Sequence, residues 1–380
     1  MKTNFIFIND LHFGIADTER ELKELREHFL PFLKENGIDV VFLGGDYFDH
    51  KLELGHPFSI LALTFFREFI EICAEKNIAI RCIEGTQSHD RFQPRILENC
   101  IPDNLKIDYK YIETVGTENA FGMNILYVPE EYPLNIEEYY GEYKKGKYDL
   151  IVMHGTWDFI GFGGEEVNQN NDVNSCPIFI YNEWKDALEH GLAICGHIHG
   201  RHGFKTQDGD KIIYPGSFTA WSFDQISPRG FLYGTFDSDR PTVKTGRFTY
   251  KFINNPSSPT YANLDIRSLD LDLDNIDVSV LKDKIKEQAD KVDYLKVNLD
   301  ALSADKIMIL KGVYSENKNI KIDNKPKKKK VEVKSSNYSQ YAYILDDKLT
   351  VPETIQKYLK EEKNIDLDKT TIEDIIKAVK

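Results

Sequence analysis

Phe5-Ile6-Phe7-Ile8-Asn9-Asp10-Leu11-His12 is the stretch that decides the fold. Its four apolar residues predict a short buried strand, which ends where the polar residues begin. Asp10 and His12 lie two residues apart, so both side chains leave extended backbone on the same face. A carboxylate and an imidazole directed at one point suit a divalent metal such as manganese or iron.

The same pattern, an apolar run that ends in Asp or His, occurs four more times before residue 200. One such residue alone is usually part of a turn or a hydrogen-bonded core position. A repeated pattern is different, because loops at the carboxyl edge of an α/β sheet are common binding sites. The chain therefore predicts a metal site built from strand ends, at Asp10, His12, Asp46, His89, His154, His197 and His199.

Length and composition bound the class of protein. The 380 residues allow two or three domains. No run approaches the roughly 18–20 apolar residues that a membrane span needs, and the N-terminus lacks the pattern of a secretory signal. Five cysteines without CxxC spacing indicate reduced thiols and a cytoplasmic protein. The net charge of −14 argues against a basic surface overall, yet residues 305–334 hold ten lysines against four acidic residues.

Strands and helical patterns alternate over residues 1–250, which predicts a layered α/β domain with sheets flanked by helices. Turn-forming residues 254–259 then indicate a linker. Residues 260–324 predict a small α+β domain, residues 325–337 a lysine-rich linker, and residues 338–380 two short amphipathic helices.

The motifs resemble those of the calcineurin-like metallophosphoesterases, whose signature is D-x-H, G-D with a further acid, G-N-H-D, an isolated H, and G-H-x-H. The matching elements are Asp10-Leu11-His12, Gly45-Asp46-Tyr47-Phe48-Asp49, Gly85-Thr86-Gln87-Ser88-His89-Asp90, His154 and Gly196-His197-Ile198-His199. The resemblance implies two divalent metals, with manganese favoured and magnesium compatible. Asp10, His12 and His199 would hold one metal. Asp46 would bridge both, and His154 and His197 would hold the second.

The resemblance also implies that His89 is no ligand but the catalytic group that protonates the leaving oxygen. One element departs from the signature, because the amide ligand of G-N-H-D has no counterpart beside His89. The segment is two residues longer, so Gln87, Ser88 or a water is the candidate for that position. Asp49 and Asp90 are predicted either to orient the ligands or to serve as turn residues.

A finer resemblance is to SbcD-type exonuclease subunits of SbcCD-like repair and recombination complexes, including phage versions. It rests on Tyr214-Pro215-Gly216-Ser217, on Ser222-Phe223-Asp224 and on Arg229-Gly230-Phe231, followed by a small capping domain. It implies a manganese-dependent nuclease with 3′→5′ exonuclease activity on duplex ends and endonuclease activity on single strands. Trp221 and Phe223 are predicted to stack on bases or to pack in the core.

The implied partners are DNA, an SbcC-like coiled-coil ABC-type ATPase and a second copy of the chain, with no membrane. The predicted DNA contacts are Lys327, Lys328, Lys329 and Lys330. The residues predicted to bind the ATPase are Ile355, Tyr358, Leu359, Ile372, Ile375, Ile376 and Val379. Two alternatives stay open: a stand-alone phosphodiesterase or phosphatase on small nucleotides, and a DNA-end scaffold with weakened catalysis.

Overall fold

The computed structural model describes residues 1–15, 17–53, 55–160, 178–223, 225–269, 271–273, 275–324, 352–353, 355–356, 359–360 and 367–372. The strands are β1 Lys2–Ile8, β2 Val40–Leu43, β3 Ala79–Ile83, β4 Tyr109–Ile112, β5 Gly116–Ala120, β6 Met123–Val128, β7 Leu150–His154, β8 Thr156–Trp157, β9 Ile178–Phe179, β10 Leu192–Gly196, β11 His202–Thr206, β12 Gly209–Tyr214, β13 Gly230–Asp237, β14 Phe248–Asn254, β15 Tyr261–Asp265, β16 Tyr294–Asn298 and β17 Ile320–Asp323. The α-helices are α1 Thr18–Glu24, α2 Leu30–Glu35, α3 Pro57–Lys76, α4 Ile136–Lys144, α5 Tyr181–Trp184, α6 Val278–Ala289 and α7 Ala304–Tyr314.

Two six-stranded sheets form the centre of the molecule. One has the strand order β14-β13-β1-β2-β3-β4, and the other has the order β11-β12-β10-β7-β6-β5. Strands β1 to β4 run parallel, as do β12, β10, β7 and β6, while β13, β14, β5 and β11 pair antiparallel. Because parallel strands present their carboxyl ends at one edge, each sheet collects loop residues there.

The alternation of side chains along β1 shows how the layers are built. Phe5 and Phe7 face the second sheet and join a core cluster with residues from both sheets. Ile6 and Ile8 face the opposite way and pack with α1, α2 and α3. The outer face of the second sheet packs against α4 and α5. The result is a helix–sheet–sheet–helix sandwich, which confirms the predicted layered α/β fold.

The first helical region begins at Asp17, whose side chain accepts a hydrogen bond from the backbone N–H of Arg20. The 3–4 spacing of apolar residues predicts one helix over residues 18–36, but the structure divides it. A π-helical turn at Leu25–Phe29 separates α1 from α2. Periodicity alone does not reveal this turn, because Leu25 and Phe29 are buried in either geometry.

A small three-stranded parallel sheet, β15-β16-β17, follows β14 and has its own core with α6 and α7. Backbone contacts group residues Met1–Asn324 into one compact unit and Lys325–Lys380 into another. The predicted domain boundary between residues 250 and 260 therefore stays a prediction.

Among the described residues, none of the helices combines the length and the apolar character needed to cross a bilayer.

Candidate metal centre

The candidate ligands lie at the carboxyl ends of four strands from the two sheets. Asp10 and His12 follow β1, Asp46 follows β2, and His197 follows β10, while His154 is the last residue of β7. Backbone hydrogen bonds hold the first two loops together, with Asp10 N–H donating to Gly45 O (3.0 Å) and Leu11 N–H donating to Asp46 O (2.8 Å). The face-to-face packing of the two sheets therefore brings together residues that are far apart in the chain.

Four of these residues have left-handed backbone. The φ angles are 52° at Asp10, 51° at His12, 55° at Asp46 and 85° at His197. Non-glycine residues rarely adopt such angles, and they cluster at functional sites where the surrounding structure enforces them. Here the sharp change of direction turns the side chains inward at the strand ends.

Two glycines make room for the site. A Cβ at Gly45 would lie 2.5 Å from His154 Nδ1, and one at Gly85 would lie 2.2 Å from the backbone nitrogen of Asp46. Only glycine allows the backbone to approach this closely, and Gly45 also has a φ of 89°. The Gly-Asp pair and the Gly that opens the 85–90 segment are thus required by packing as well as by sequence pattern.

Pocket one is formed by Asp10, His12 and His199, whose ligand atoms all lie within 4.8 Å of one another. The Nε2 atoms of His12 and His199 are 3.1 Å apart. His12 is buried and its Nδ1 has no hydrogen-bond partner. Burial, together with the nearby His12, lowers the pKa of His199 well below its usual range, so this imidazole keeps a free lone pair.

Pocket two is formed by Asp46, His154 and His197, again with ligand atoms within 4.8 Å. His154 Nδ1 donates to Gly44 O (2.7 Å), which leaves Nε2 3.3 Å from Asp46 Oδ2. Burial opposes the charged form of His154, but the carboxylate of Asp46 outweighs it and raises the pKa of His154 well above its usual range. Without a bound metal, the protonated His154 imidazole therefore places a positive charge beside Asp46. A bound cation would place its charge at the same position.

Asp46 belongs to both pockets. Its Oδ2 lies 3.6 Å from His12 Nε2 in pocket one as well as 3.3 Å from His154 Nε2 in pocket two. Burial opposes ionisation, yet the neighbouring imidazoles, chiefly His154, hold the pKa of Asp46 well below its usual range. A carboxylate shared in this way can bridge two cations.

Two further groups enter pocket two that the motif comparison does not identify. Thr86 Oγ1 lies 3.2 Å from Asp46 Oδ2 and 3.3 Å from His154 Nε2. Glu130 Oε2 lies 3.1 Å from His197 Nδ1, and its side chain is 1% exposed. The sequence does carry a signal for Glu130, since it follows the apolar run of β6 in the same way that the other ligands follow theirs.

The sequence-based candidates for the missing amide ligand are Gln87 and Ser88. Both side chains are exposed, and no described hydrogen bond joins either of them to a ligand of pocket two. Thr86, which directly follows Gly85, is the residue of this segment whose side chain lies in pocket two. The assignment of Gln87 or Ser88 to the amide position stays a prediction.

His89 lies beside pocket one, with its ring 4.7 Å from that of His12. Its Nδ1 donates to the backbone carbonyl of Asp49, which leaves Nε2 as the nitrogen that can exchange a proton with a substrate. The Asp49 carboxylate is 3.7 Å from His12 Nδ1, and His12 lowers the pKa of Asp49. Asp49 therefore lies where it can orient both imidazoles.

Asp90 is buried behind the ligands, and its carboxylate bonds to backbone N–H groups around them. It accepts hydrogen bonds from the backbone N–H groups of Asp46 (2.9 Å), Tyr47 (2.8 Å), Phe48 (3.1 Å) and Gly85 (3.0 Å). These four bonds fix the left-handed turn that carries Asp46. The position fits the predicted orienting role.

The segment after the last ligands forms one wall of pocket one. The ring of Trp221 lies 5.0 Å from His12 and 5.1 Å from His199. Buried Arg229 donates to the carbonyl of His199 and to Ser217 Oγ, so it ties the end of the segment to the ligand loop.

An aromatic cleft of about 540 Å³ begins at Trp221 and extends across the small three-stranded sheet. Phe223, Tyr261 and Tyr294 supply rings to it, and Tyr261 and Tyr294 are stacked 4.8 Å apart. The exposed Lys311, Lys318 and Lys321 also line it, and no acidic side chain among the described residues does. Lys321 Nζ lies 6.0 Å from the Phe223 ring.

The C-terminal predictions fall partly outside the described residues. Ile355, Leu359 and Ile372 have helical backbone, and Ile372 is buried. Within this unit Gln356 Nε2 donates to Leu367 O (2.7 Å), and Lys369 pairs with Glu353 (3.0 Å). Outside the described residues lie Tyr358, Ile375, Ile376, Val379, Lys327, Lys328, Lys329 and Lys330.

The donor set fits two divalent cations. Buried carboxylates and imidazoles converge with neighbouring donors 3.1–3.6 Å apart. Donors about 2.1 Å from one ion and at right angles would be ~3.0 Å apart. Asp10, His12, His199 and Asp46 would hold one ion, and Asp46, His154 and His197 the other.

Comparison with known proteins gives the following matches. GAP50, the anchor in the inner membrane complex of Plasmodium, is 14% identical, with a TM-score of 0.43 over 67% of this chain and 85% of that one. TT1561 of Thermus thermophilus is 11% identical, with a TM-score of 0.36 over 67% of this chain and 100% of that one. The curated proteins contain no match. The model of the calcineurin-like phosphoesterase family matches residues 3–201, more than half of the chain.

Proposed function

The chain belongs to the calcineurin-like phosphoesterase family, and from this premise we propose that it is a DNA nuclease, the catalytic subunit of an SbcCD-like repair or recombination complex. Family membership makes it a metal-dependent phosphoester hydrolase. The observation that supports DNA as the substrate, among the possible phosphoesters, is the aromatic cleft beside pocket one.

The cleft offers two kinds of contact that a single strand of nucleic acid needs. Its rings can stack on bases, each worth about 1–3 kcal/mol. Its lysines can neutralise phosphates. Because Trp221 touches His12 and His199 at one end, a strand lying in the cleft would reach the metal centre with its terminal phosphodiester.

A small nucleotide would use less of this surface. One base and one phosphate can be held by the metal centre and Trp221 alone. Phe223, Tyr261 and Lys318 also line the cleft, so they favour a substrate several nucleotides long over a mononucleotide.

In the proposed reaction, the residues of the two pockets would hold a pair of divalent cations, which would lower the pKa of water and polarise the phosphoryl group. The mixed nitrogen and oxygen donors suit Mn²⁺. Asp46 sets the separation of the two pockets, and Asp90 holds its loop. His89, held by Asp49 O through Nδ1, would give a proton from Nε2 to the leaving oxygen. Trp221 would shield one side of the site.

The test compares cleft variants on two substrates. Phe223→Ala and Lys321→Glu should raise KM for labelled single-stranded and duplex DNA with Mn²⁺, while turnover of bis(p-nitrophenyl) phosphate stays unchanged. Lys321→Glu should also reduce the slope of log affinity against log salt by about 0.7 for single strands. Lys34→Glu, an exposed lysine on α2, is the matched control.

Equal effects on DNA and on the small diester would contradict a DNA role for the cleft. Failure to cut any DNA, with rapid turnover of small nucleotides, would support the stand-alone phosphodiesterase. Metal binding without turnover of either substrate would support the scaffold.

For the partner, we propose that the C-terminal unit docks on the coiled-coil base of an SbcC-like ATPase, with two nuclease chains per complex. Ile372 and the paired segments around Gln356 and Leu367 support a folded unit rather than isolated helices, which would be marginal at this length. Deleting residues 336–380 should leave a soluble, Mn²⁺-dependent nuclease that no longer co-purifies with the ATPase. A truncated chain that still holds the ATPase would contradict this.

A further inference from the structure

Pocket two departs from the family signature at one position, the amide oxygen supplied by G-N-H-D. The chain has Thr86 after Gly85, and a hydroxyl is a weaker ligand than an amide. The geometry points to a replacement from another strand: we propose that Glu130 is a ligand of the second metal, with Thr86 beside it, and that together they stand in for the missing asparagine.

The position of Glu130 carries the proposal. Its Oε2 lies 3.1 Å from His197 Nδ1 and 3.7 Å from His154 Nε2, the two imidazole nitrogens that face pocket two. The side chain is 1% exposed, and a buried carboxylate needs a balancing positive charge, which the two imidazoles supply in the protein alone and a bound cation could supply in their place. Its Oε1 accepts a hydrogen bond from Tyr132, so the carboxylate is fixed with Oε2 toward the pocket.

Thr86 completes the same cage. Its Oγ1 lies 3.1 Å from Glu130 Oε2, 3.2 Å from Asp46 Oδ2, 3.3 Å from His154 Nε2 and 3.4 Å from His197 Nδ1. Its backbone N–H donates to Asp46 Oδ1 (2.6 Å), which holds the residue against the bridging carboxylate. The oxygen atoms of Thr86, Glu130 and Asp46 thus lie close to the imidazole nitrogens of His154 and His197, around the position proposed for the second metal.

The chemistry differs from that of the family pattern. A neutral amide oxygen is replaced by a carboxylate, so pocket two gains one negative charge. A hard cation such as Mn²⁺ or Mg²⁺ gains affinity from that charge. The second ion should therefore bind in the same range as the first, even though the asparagine is absent.

This inference rests on the metal dependence of the proposed function but not on DNA as the substrate. The test is manganese binding to the purified full chain by titration calorimetry, with the bound ratio checked by elemental analysis after gel filtration. The wild type should bind two ions in a similar affinity range. Glu130→Ala should keep one ion and bind the second about 100-fold more weakly, since even outer partners of ligands contribute 10–100-fold.

Two variants separate a ligand from a group that merely positions His197. Glu130→Gln keeps a hydrogen-bond acceptor for His197 and a neutral oxygen donor but removes the charge. A ligand role therefore predicts weaker binding of the second ion, with a smaller loss than in Glu130→Ala, and a positioning role predicts no loss. Thr86→Asn in the Glu130→Ala background restores the family's amide and should recover part of the lost affinity.

Glu131→Gln is the matched control, because the neighbouring glutamate instead accepts hydrogen bonds from Val115 N–H and Tyr139. Thermal unfolding without metal checks the fold. If Glu130→Ala unfolds, Glu130→Gln and Thr86→Val decide. Two ions bound with wild-type affinity in Glu130→Gln would overturn the proposal, and so would an equal loss in Glu131→Gln. These outcomes leave the DNA proposal untouched.

Discussion

Pocket one and pocket two share Asp46 but are completed in different ways. In pocket one every donor falls at a position of the family signature, at Asp10, His12 and His199. In pocket two the imidazoles of His154 and His197 also match, while the amide is missing. The nearby oxygen atoms there belong to Thr86, within the matching 85–90 segment, and to Glu130, which lies outside the signature. The comparison indicates that the family signature identifies which strand ends come together. The donor residue at one of these ends can differ if a neighbouring strand end supplies another donor.

The electrostatics of the pockets differ accordingly. Burial and His12 lower the pKa of His199 in pocket one. In pocket two burial opposes the charged form of His197, but Glu130 outweighs it and raises the pKa of His197. In the protein alone, the imidazoles of pocket two therefore favour the protonated form, whereas the His199 imidazole of pocket one favours the neutral form.

The largest effect is expected where the pockets join. Asp46→Asn should lower diester hydrolysis by about 10³-fold or more, because losing several kcal/mol of metal assistance corresponds to that factor. Asparagine tolerates left-handed backbone, so the fold should survive. Steady-state kinetics and metal analysis check this, with the exposed Asp103→Asn as control. Full activity with two bound ions would exclude a bridging role.

The next effect concerns chemistry on the pocket-one side. His89→Ala should lose about 10²–10⁴-fold in kcat, the range for general acid catalysis, while both ions stay bound. His50→Ala, at the neighbouring exposed histidine, should change little. If His89→Ala binds fewer ions instead, His89 is a ligand and pocket one is larger than described.

A smaller effect separates the pockets directly. In double-mutant cycles of manganese affinity, Glu130→Gln should couple with His154→Ala, which shares its pocket, and should add independently to His199→Ala. Each single histidine change should weaken one ion by at least about 10–100-fold, the range for outer partners of metal ligands. Coupling of Glu130 with His199 of equal size would erase the distinction between the pockets.

The smallest effects are expected on the 85–90 segment. Thr86→Val should weaken the second ion by about tenfold, at the low end of the effect of groups around a metal. Gln87→Ala and Ser88→Ala, with exposed side chains, should change affinity less than about twofold. Calorimetric titration of all three variants decides the assignment, and a loss at Ser88 rather than at Thr86 would reverse it.

Much of the fold could be predicted because strand runs such as Met123–Val128 are buried and apolar, and β6 has these bounds in the structure. The convergence of Asp10, Asp46 and His154 also followed from a simple rule about strand ends. Thr86 could not be found, because the alignment of a lengthened loop depends on where the chain bulges. Glu130 could have been found by the same rule that identified the others, since it follows β6 after Val128 and Pro129.

The π-helical turn and the aromatic cleft could not be predicted from the sequence, for a different reason. The stripe of Leu25 and Phe29 is compatible with either helical geometry, so only tertiary packing decides between them. The cleft is lined by Trp221 together with Tyr261 and Tyr294, which lie 40 and 73 positions farther along the chain. A local sequence pattern cannot predict that residues so far apart line one cleft.

The left-handed backbone at Asp10, His12, Asp46 and His197 has a consequence for laboratory evolution. Each such residue carries strain of roughly 1 kcal/mol or more that glycine would relieve. A selection for heat resistance alone would therefore favour glycine at these four positions. The most thermostable variants from such a selection would then lack the metal ligands and be inactive. A screen that measured only stability would not detect this loss.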